Sequence, residues 1–483
     1  MTRSPALVTP ATGRAALRCP DCREEPAFEP TRSQPLAGGT FGLLTCACRT
    51  APVLDDIPVL RQGRIDSQDH LTGRSEVVGP TAEHLVELLR ADRPLDALVA
   101  MLAFPPPVPL GLADRGGLRL PFTRGPWPRL ALAARRGEVR GMLSRLDEHT
   151  AQDWMELAYA RSSERIDSEL LPYFLGRFGQ PRFLATMALV AALPDDARPV
   201  LDLACGFGHL AHHLAERSDP RAVVGVDRNF FQLWVGRRYV APQQSFVCAD
   251  RVDALPFDDD TFSASICSDA FHYFDRQQES LDELRRVAVA DTVMLDRLGN
   301  ATLAPVDGPG EQDAAGYVDL LRGAPWRLTC EEELLEGYAA GVGPRLASPR
   351  RPGELDDRKW LMLVSSRDDS VFVDHGAFPA PPHAAGTPQL NPVFDAVAHD
   401  DEVELKFVFP TTWFAFENAA MLRYTAAGVR LDPWTWAEVV AGRPTARTAE
   451  LVGRFVLVGM PERYRRAPGR EALTTLRGLL RRR

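Results

Sequence analysis

Three aspartates and two glycines in the middle of the chain carry its most specific chemistry. In "PVLDLACGFGHLA", Asp202 lies inside an apolar run that breaks into Gly206 and Gly208. Asp227 closes a second apolar run 19 residues after Gly208, and Asp250, with Arg251 beside it, closes a third. The turn "GFGHLA" fits G-x-G-x-x-A, and glycines there let a ligand approach the backbone closely. The acids narrow the choice of ligand. An acid after the second strand can accept from both ribose hydroxyls, Asp250 can accept from an adenine amino group, and Asp202 lies where the amino end of a cationic amino-acid group would sit. Asp202 would repel a pyrophosphate and attract a sulfonium or an ammonium. The pattern predicts a nucleoside cofactor without phosphates.

A second cluster is made of thiols. Of the eight cysteines, Cys19, Cys22, Cys46 and Cys48 fall in "CPDC" and "CAC" within one short N-terminal segment, while the others are scattered along apolar runs. Clustered cysteines in a cytosolic chain point to metal before disulfides. Paired knuckles place four thiolates within tetrahedral reach of one structural Zn²⁺, and the metal supplies folding energy that so small a unit cannot draw from a core. The second pair has one intervening residue where ribbons usually have two.

A third set, "SDAFHYF", holds Asp269, His272 and Tyr273 just after an apolar run. His272 is the candidate general base for a hydroxyl or an acidic carbon, with Asp269 and Tyr273 as orienters or substrate contacts. His209, His212 and His213 form a tempting string, yet a helix brings only His209 and His213 onto one face, and no third ligand is suggested. They read as cofactor-adjacent or surface residues.

The elements that must position these groups alternate. "PVLDLAC", "AVVGVD", "SFVCAD", "FSASICSD" and "VAVADTVML" are short runs without polar alternation, as expected of strands buried on both faces. Between them "FGHLAHHLAERS", "NFFQLWVGRRYVA" and "RQQESLDELRRV" have helical period. This alternation predicts an α/β fold with a parallel, doubly wound sheet, whose ligands sit at the carboxyl ends of the strands. Five segments are expected: a disordered tail at 1–15, a zinc ribbon at 16–62, a helical segment at 63–165, the cofactor-binding domain at 166–367, and a C-terminal extension at 368–483. Within the helical segment, "TAEHLVELLRADRPLDALVAML" has Thr81 as its N-cap and "FPPPVPLGL" is loop. "GYVDLLRGAPWRLTCEEELLEGYAAG" reads as a helical lid, and "KWLMLVSS" as a late strand. Trp413, Phe414, Phe416 and Tyr424 read as core or as the lining of an apolar site.

Composition sets the outer bounds. The chain has 483 residues and a formal net charge of -9, with only two lysines, Lys359 and Lys406. An acidic balance argues against a protein whose main work is gripping nucleic acid. No run of about 18 apolar residues spans a membrane, and the first residues lack a signal-peptide block. A cytoplasmic location is expected. The tail from Arg463, "RYRRAPGREALTTLRGLLRRR", is locally basic and reads as a solvated terminal helix, with an RNA or anionic-surface contact as the alternative.

"VLDLACGFGHL", "VVGVDRN", "CADRVDALPFDDDTFSASICSDAFHYF" and "LDELRRV" together resemble the successive motifs of class I S-adenosylmethionine-dependent methyltransferases, of the branch that includes quinone-biosynthesis enzymes. The resemblance covers roughly residues 195 to 298 and implies a Rossmann-like sheet. It implies that Asp202, Ala204, Gly206 and Gly208 line the methionine part of S-adenosylmethionine, Asp227 the ribose, and Asp250 with Arg251 the adenine. Ala204 stands where the family often has glycine, and "AVADTVML" lacks the usual Leu-x-Pro-Gly-Gly turn. The cysteine segment resembles the small zinc-ribbon proteins that activate methyltransferases, including the tail "APVLDDIPVL", where Ala51 and Asp56 replace a usual tyrosine and glycine. The expected function is methylation of a small-molecule acceptor. An RNA methyltransferase and a non-catalytic scaffold that binds the cofactor are the alternatives.

Overall fold

The computed structural model describes residues 7–8, 14–65, 79–103, 127–160, 165–217, 220–303, 310–377, 382–399 and 401–467. They form two compact units: Met1–Phe104 with Ala185–Phe378, and Pro105–Leu184 with Pro379–Arg483. The segment at 63–165 therefore divides between the units. Its first two helices, Ala82–Arg90 and Pro94–Leu102, belong to the first, and the helix Trp127–Leu143 belongs to the second. The proline-rich stretch between them lies outside the described residues.

In the first unit, two short strands, β1 (Leu7–Val8) and β2 (Arg14–Ala15), pair antiparallel where a structureless tail was expected. The ribbon follows as an antiparallel sheet of β3 (Ala27–Pro30), β4 (Gly42–Thr45), β5 (Thr50–Leu54) and β6 (Ile57–Pro58). Its last hairpin turns on Asp55 and Asp56, both left-handed at φ 55° and 67°. That geometry suits glycine, and Asp-Gly is the usual choice for such a turn. Here the two acids are held instead by Trp234, Arg238 and Arg237 from the helix-and-turn segment that starts at Phe230.

The central sheet has the order β12-β13-β11-β10-β7-β8-β9. Its strands are β7 (Val200–Leu203), β8 (Val223–Asp227), β9 (Ser245–Cys248), β10 (Ala264–Ser268), β11 (Val293–Gly299), β12 (Trp326–Cys330) and β13 (Trp360–Ser365). The first five pair in parallel, and β13 runs antiparallel between β11 and β12. This is the doubly wound Rossmann-like α/β fold that the alternating runs imply. β12 corrects the reading of 316–341 as all helix: "WRLTC" is a strand between the helices Ala314–Asp319 and Glu331–Ala339. Branched and aromatic residues with a buried face favour the strand there. Where the Pro-Gly-Gly turn is missing, Ala290 and Asp291 take φ 52° and 53° themselves, and Asp291 is held by Arg285 and Arg367.

One apolar core runs through the unit. Leu17, Leu44, Ala51, Val53 and Leu60 of the ribbon belong to the same buried cluster as Val224, Val226, Val247 and Leu255. The second unit has its own core, in which β14 (Thr387–Leu390) pairs with β18 (Leu457–Met460), and β16 (Val403–Phe407) lies between β15 (Phe394–Ala398) and β17 (Gly428–Leu431). The four aromatics read together in this region part company. Phe414 is core, Tyr424 donates to Gly179 O at 2.8 Å, and Trp413 and Phe416 are exposed.

Candidate functional site

β7 ends in a turn of three left-handed residues, Ala204, Gly206 and Gly208, at φ 61°, 54° and 73°. Alternating left-handed residues curl the backbone into a cradle. A Cβ on Gly208 would sit 2.8 Å from Phe246, so the turn leaves no room for a side chain on its inner side. A Cβ on Gly206 would meet only the Gln232 amide oxygen, at 3.3 Å, so the space above that residue is otherwise open. Asp227 at the end of β8 ties the cradle to the next helix. Its carboxylate accepts the Gly206 N–H at 2.9 Å and the Asn229 N–H at 2.8 Å, and Asn229 caps the helix Phe230–Val235. A carboxylate has about four acceptor positions, so Asp227 retains capacity for ribose hydroxyls.

The crevice is anionic. Asp202 is buried in β7, and the thiols of Cys205 and Cys267 are pushed well above their ordinary value, first by burial and then by carboxylates that include Asp202 and Asp227. A cradle with open space over glycine and a negative field fits a cationic, phosphate-free nucleoside such as S-adenosylmethionine. Asp250 lies beyond the end of β9 and accepts from Arg61 Nε at 3.2 Å. Arg251 is turned elsewhere, because its guanidinium is drawn to the acids Asp21 at 2.9 Å and Asp253 at 3.3 Å. His209, His212 and His213 are buried on the helix His209–Ala215 and none is a surface residue. Burial, with Arg217 and His212 adding to it, lowers His213 to about 3, so it is neutral.

The ends of β10 and β11 form the other side. Tyr273 is exposed, whereas His272 is fully buried, with its ring 4.1 Å from that of Tyr273 and 6.3 Å from that of Trp360. Among the described residues neither ring nitrogen of His272 has a hydrogen-bond partner, and burial lowers its pKa. Asp269 does not orient it. That carboxylate accepts from Arg297 at 2.5 Å, a full cation that outcompetes a neutral imidazole. Arg297 also lies 3.6 Å over the Trp360 ring and pairs with Glu331 at 3.3 Å.

Sequence reasoning missed Asp296 and Arg297. The pairing of β11 with β13 shifts register between Leu295 and Leu298, and Arg297 is left-handed at φ 54°. Bulges of this kind re-aim side chains beside active sites. Asp296 is buried, and its Oδ2 accepts from the Ser268 hydroxyl at 2.8 Å and from Thr186, while Oδ1 has no partner among the described residues. Burial pushes its carboxyl up to about 6 against those two hydrogen bonds. The available signal was a charged pair inside the otherwise apolar "VMLDRLG".

The four N-terminal cysteines converge, with all four sulfurs within 4.8 Å of one another. Cys48 Sγ is 3.4 Å from that of Cys19 and 3.5 Å from that of Cys46, so the one-residue spacing still closes the set. A tetrahedral zinc with Zn–S bonds of about 2.3 Å sets its sulfurs roughly 3.8 Å apart, which these positions fit. The Cys19 thiol is lowered to about 7, because backbone N–H bonds from Cys22 and Asp21 outweigh its burial.

Residues 200–291 match a family described as a methyltransferase domain. The match falls on the central sheet, from β7 to the turn before β11. Among curated relatives, the demethylmenaquinone methyltransferase of Clavibacter sepedonicus is 39% identical over 99 residues, covering 20% of this chain and 39% of the relative. That of Thermus thermophilus is 34% identical over 128 residues, covering 25% and 58%. The chain thus spans between about two fifths and three fifths of these relatives. A structure of the Haloferax volcanii Trm112 methyltransferase activator with a methyltransferase is similar at 16% identity and a TM-score of 0.32, over 41% of this chain and 96% of that one. An S-adenosylmethionine-dependent methyltransferase from Mesorhizobium loti is similar at 19% identity and 0.29, over 40% and 100%. Among the described residues, no helix is long and apolar enough to cross a membrane.

Proposed function

We propose that the chain transfers the methyl group of S-adenosylmethionine to a small, uncharged acceptor. The observation that carries this is the set of three acids, Asp202, Asp227 and Asp250, arranged along successive strands around a left-handed glycine cradle. Asp202 faces the cationic end, Asp227 the ribose and Asp250 the adenine. The bound cofactor supplies an electrophilic methyl on a sulfonium. The protein aligns the acceptor with it and keeps water out. Asp269, Glu331 and Asp296 outnumber the one guanidinium of Arg297 at the acceptor side, which disfavours an anionic acceptor. The curated relatives are named for demethylmenaquinone, so a prenylated naphthoquinol is the first acceptor to offer.

For a proton-bearing acceptor we assign the proton to Asp296 Oδ1. Its other oxygen is anchored by two hydroxyls, whereas among the described residues nothing anchors either nitrogen of His272. A base held in place and titrating near neutral pH serves better than a loose one. His272 then serves as a neutral wall of the pocket. A zinc ion held by Cys19, Cys22, Cys46 and Cys48 keeps the ribbon folded and takes no part in the reaction.

Titration calorimetry with S-adenosylmethionine tests the reading. Asp227→Ala removes the ribose acceptor and leaves the Gly206 and Asn229 N–H groups unpaired. The expected loss is at least tenfold in affinity, about 1.4 kcal/mol or more. A folded, zinc-loaded wild type that does not bind would overturn the enzyme reading.

A further inference from the structure

The ribbon reaches the adenosine end of the crevice. Beyond β6 the chain runs alongside β9: Val59 bridges Cys248 in parallel, and the Leu60 N–H donates to Cys248 O at 2.7 Å. The next residue, Arg61, is 7% exposed. Its Nε lies 3.2 Å from Asp250 Oδ2, and its terminal nitrogen donates at 2.9 Å to the carbonyl of Arg228, which follows Asp227. One guanidinium therefore spans the two acids' neighbourhoods.

The zinc knuckle holds the segment that follows Asp250. Asp21, between Cys19 and Cys22, accepts from Arg251 at 2.9 Å. Arg23 donates to Leu255 O at 2.8 Å and to Phe257 O at 2.6 Å. The Arg18 N–H donates to Pro256 O at 2.9 Å, and its side chain pairs with Asp258. Residues 250–258 contain no helix or strand, so their shape depends on contacts of this kind rather than on a ladder of their own.

We propose that Arg61 is a positioning residue for adenine recognition through Asp250, and that the zinc knuckle shapes residues 250–258 so that metal occupancy sets cofactor affinity. This rests on the methyltransferase reading. The Asp250 side chain is 37% exposed and free to rotate on its own. With Oδ2 held by Arg61, Oδ1 is aimed to accept from an adenine amino group. A purine with an oxo group in that place presents a second acceptor and is rejected. Loss of Arg61 lets the carboxylate turn to water, which weakens binding and flattens the preference for amino over oxo. Loss of zinc frees Asp21 and Arg23 and acts on the same segment.

The test is calorimetry of the full chain with S-adenosylhomocysteine and with S-inosylhomocysteine, beside hydrogen exchange of 250–258 in the nucleoside-free protein. Arg61→Ala is expected to weaken S-adenosylhomocysteine by about tenfold and to narrow its advantage over the inosine analogue, with Arg61→Lys restoring part of both. Chelated protein should show the same weakening, with faster exchange at 250–258. Unchanged affinity and preference in Arg61→Ala, or wild-type affinity in zinc-free protein, would overturn the proposal. If Arg61→Ala melts well below the wild type, Asp21→Asn decides: it should speed exchange at 250–258 and weaken S-adenosylhomocysteine severalfold, and wild-type behaviour overturns the proposal. A wild type that binds neither nucleoside overturns the methyltransferase reading instead. Exchange at 250–258 with and without zinc then still decides whether the knuckle shapes that segment.

Discussion

Ala204 and Gly208 share one turn and one sign of φ, yet substitutions at the two should move stability in opposite directions. Left-handed backbone costs an L-residue roughly 1–2 kcal/mol, and Ala204 bears that cost at φ 61°. Ala204→Gly relieves it, less up to about 1 kcal/mol of added chain entropy, so a small gain in the urea midpoint is expected. Gly208→Ala adds the same strain and drives a Cβ to 2.8 Å from Phe246, with an expected loss of about 2 kcal/mol or more. Equal effects at both positions would show that the turn is not held as described. At this scale Asp227 and Asp250 stand out in the sequence because each closes a local run of apolar residues, and Asp202 because it is an acid inside one. Arg61 was not readable, because its partner Asp250 lies 189 positions away and nothing local marks the pairing. Arg251, whose neighbour in sequence is Asp250, pairs in space with Asp21, and nothing local marks that pairing either.

The strand β11 shows what an element hides. Its apolar run was legible, but the bulge at Asp296 and Arg297 is imposed by the antiparallel neighbour β13, which periodicity cannot supply. β12 was missed because "WRLTC" is short and flanked by two helical patterns, so its identity comes from the edge it completes. The bulge has a measurable consequence. Asp296 titrates near 6 in the folded chain against an ordinary value of 3.8, so the native state holds this proton more tightly than the unfolded chain does. The associated stability is present in full below about pH 4 and is lost as pH rises through about 6, to the extent of about 3 kcal/mol. Asp296→Asn mimics the protonated acid. Its melting temperature should match the wild type at pH 4 and exceed it at pH 8. In catalysis the same variant should be deeply impaired, and the acid limb of the wild-type rate profile should fall near pH 6. A variant that is less stable than the wild type at pH 8 would mean that the fold favours the ionised carboxylate, so that its pKa is not raised on folding.

For the whole molecule, the sequence showed a ribbon, a doubly wound domain and flanking segments, but not how the flanks divide. The first compact unit takes the ribbon, and the second joins 105–184 to the C-terminal residues. Such a division depends on contacts between distant stretches, and Phe414 beside Trp413 shows how little a local aromatic pattern says about which face is core. Charge, by contrast, is a whole-chain property that the sequence gives outright, and it bears on the acceptor. The net charge is -9. Of the basic tail, Arg466 pairs with Asp153 and Glu156, Arg463 donates to His149 O at 2.6 Å and Arg465 to Leu390 O at 2.6 Å, while Arg470, Arg477 and the last three arginines lie outside the described residues. Nucleic-acid binding draws on free cations whose counterion release makes affinity fall steeply with salt. We therefore expect no retention of a fluorescent ribosomal RNA fragment in a mobility-shift titration at low salt, where electrostatic binding is strongest. A salt-sensitive complex there would place cations of the chain on phosphate and turn the acceptor search from quinols and other uncharged small molecules toward RNA.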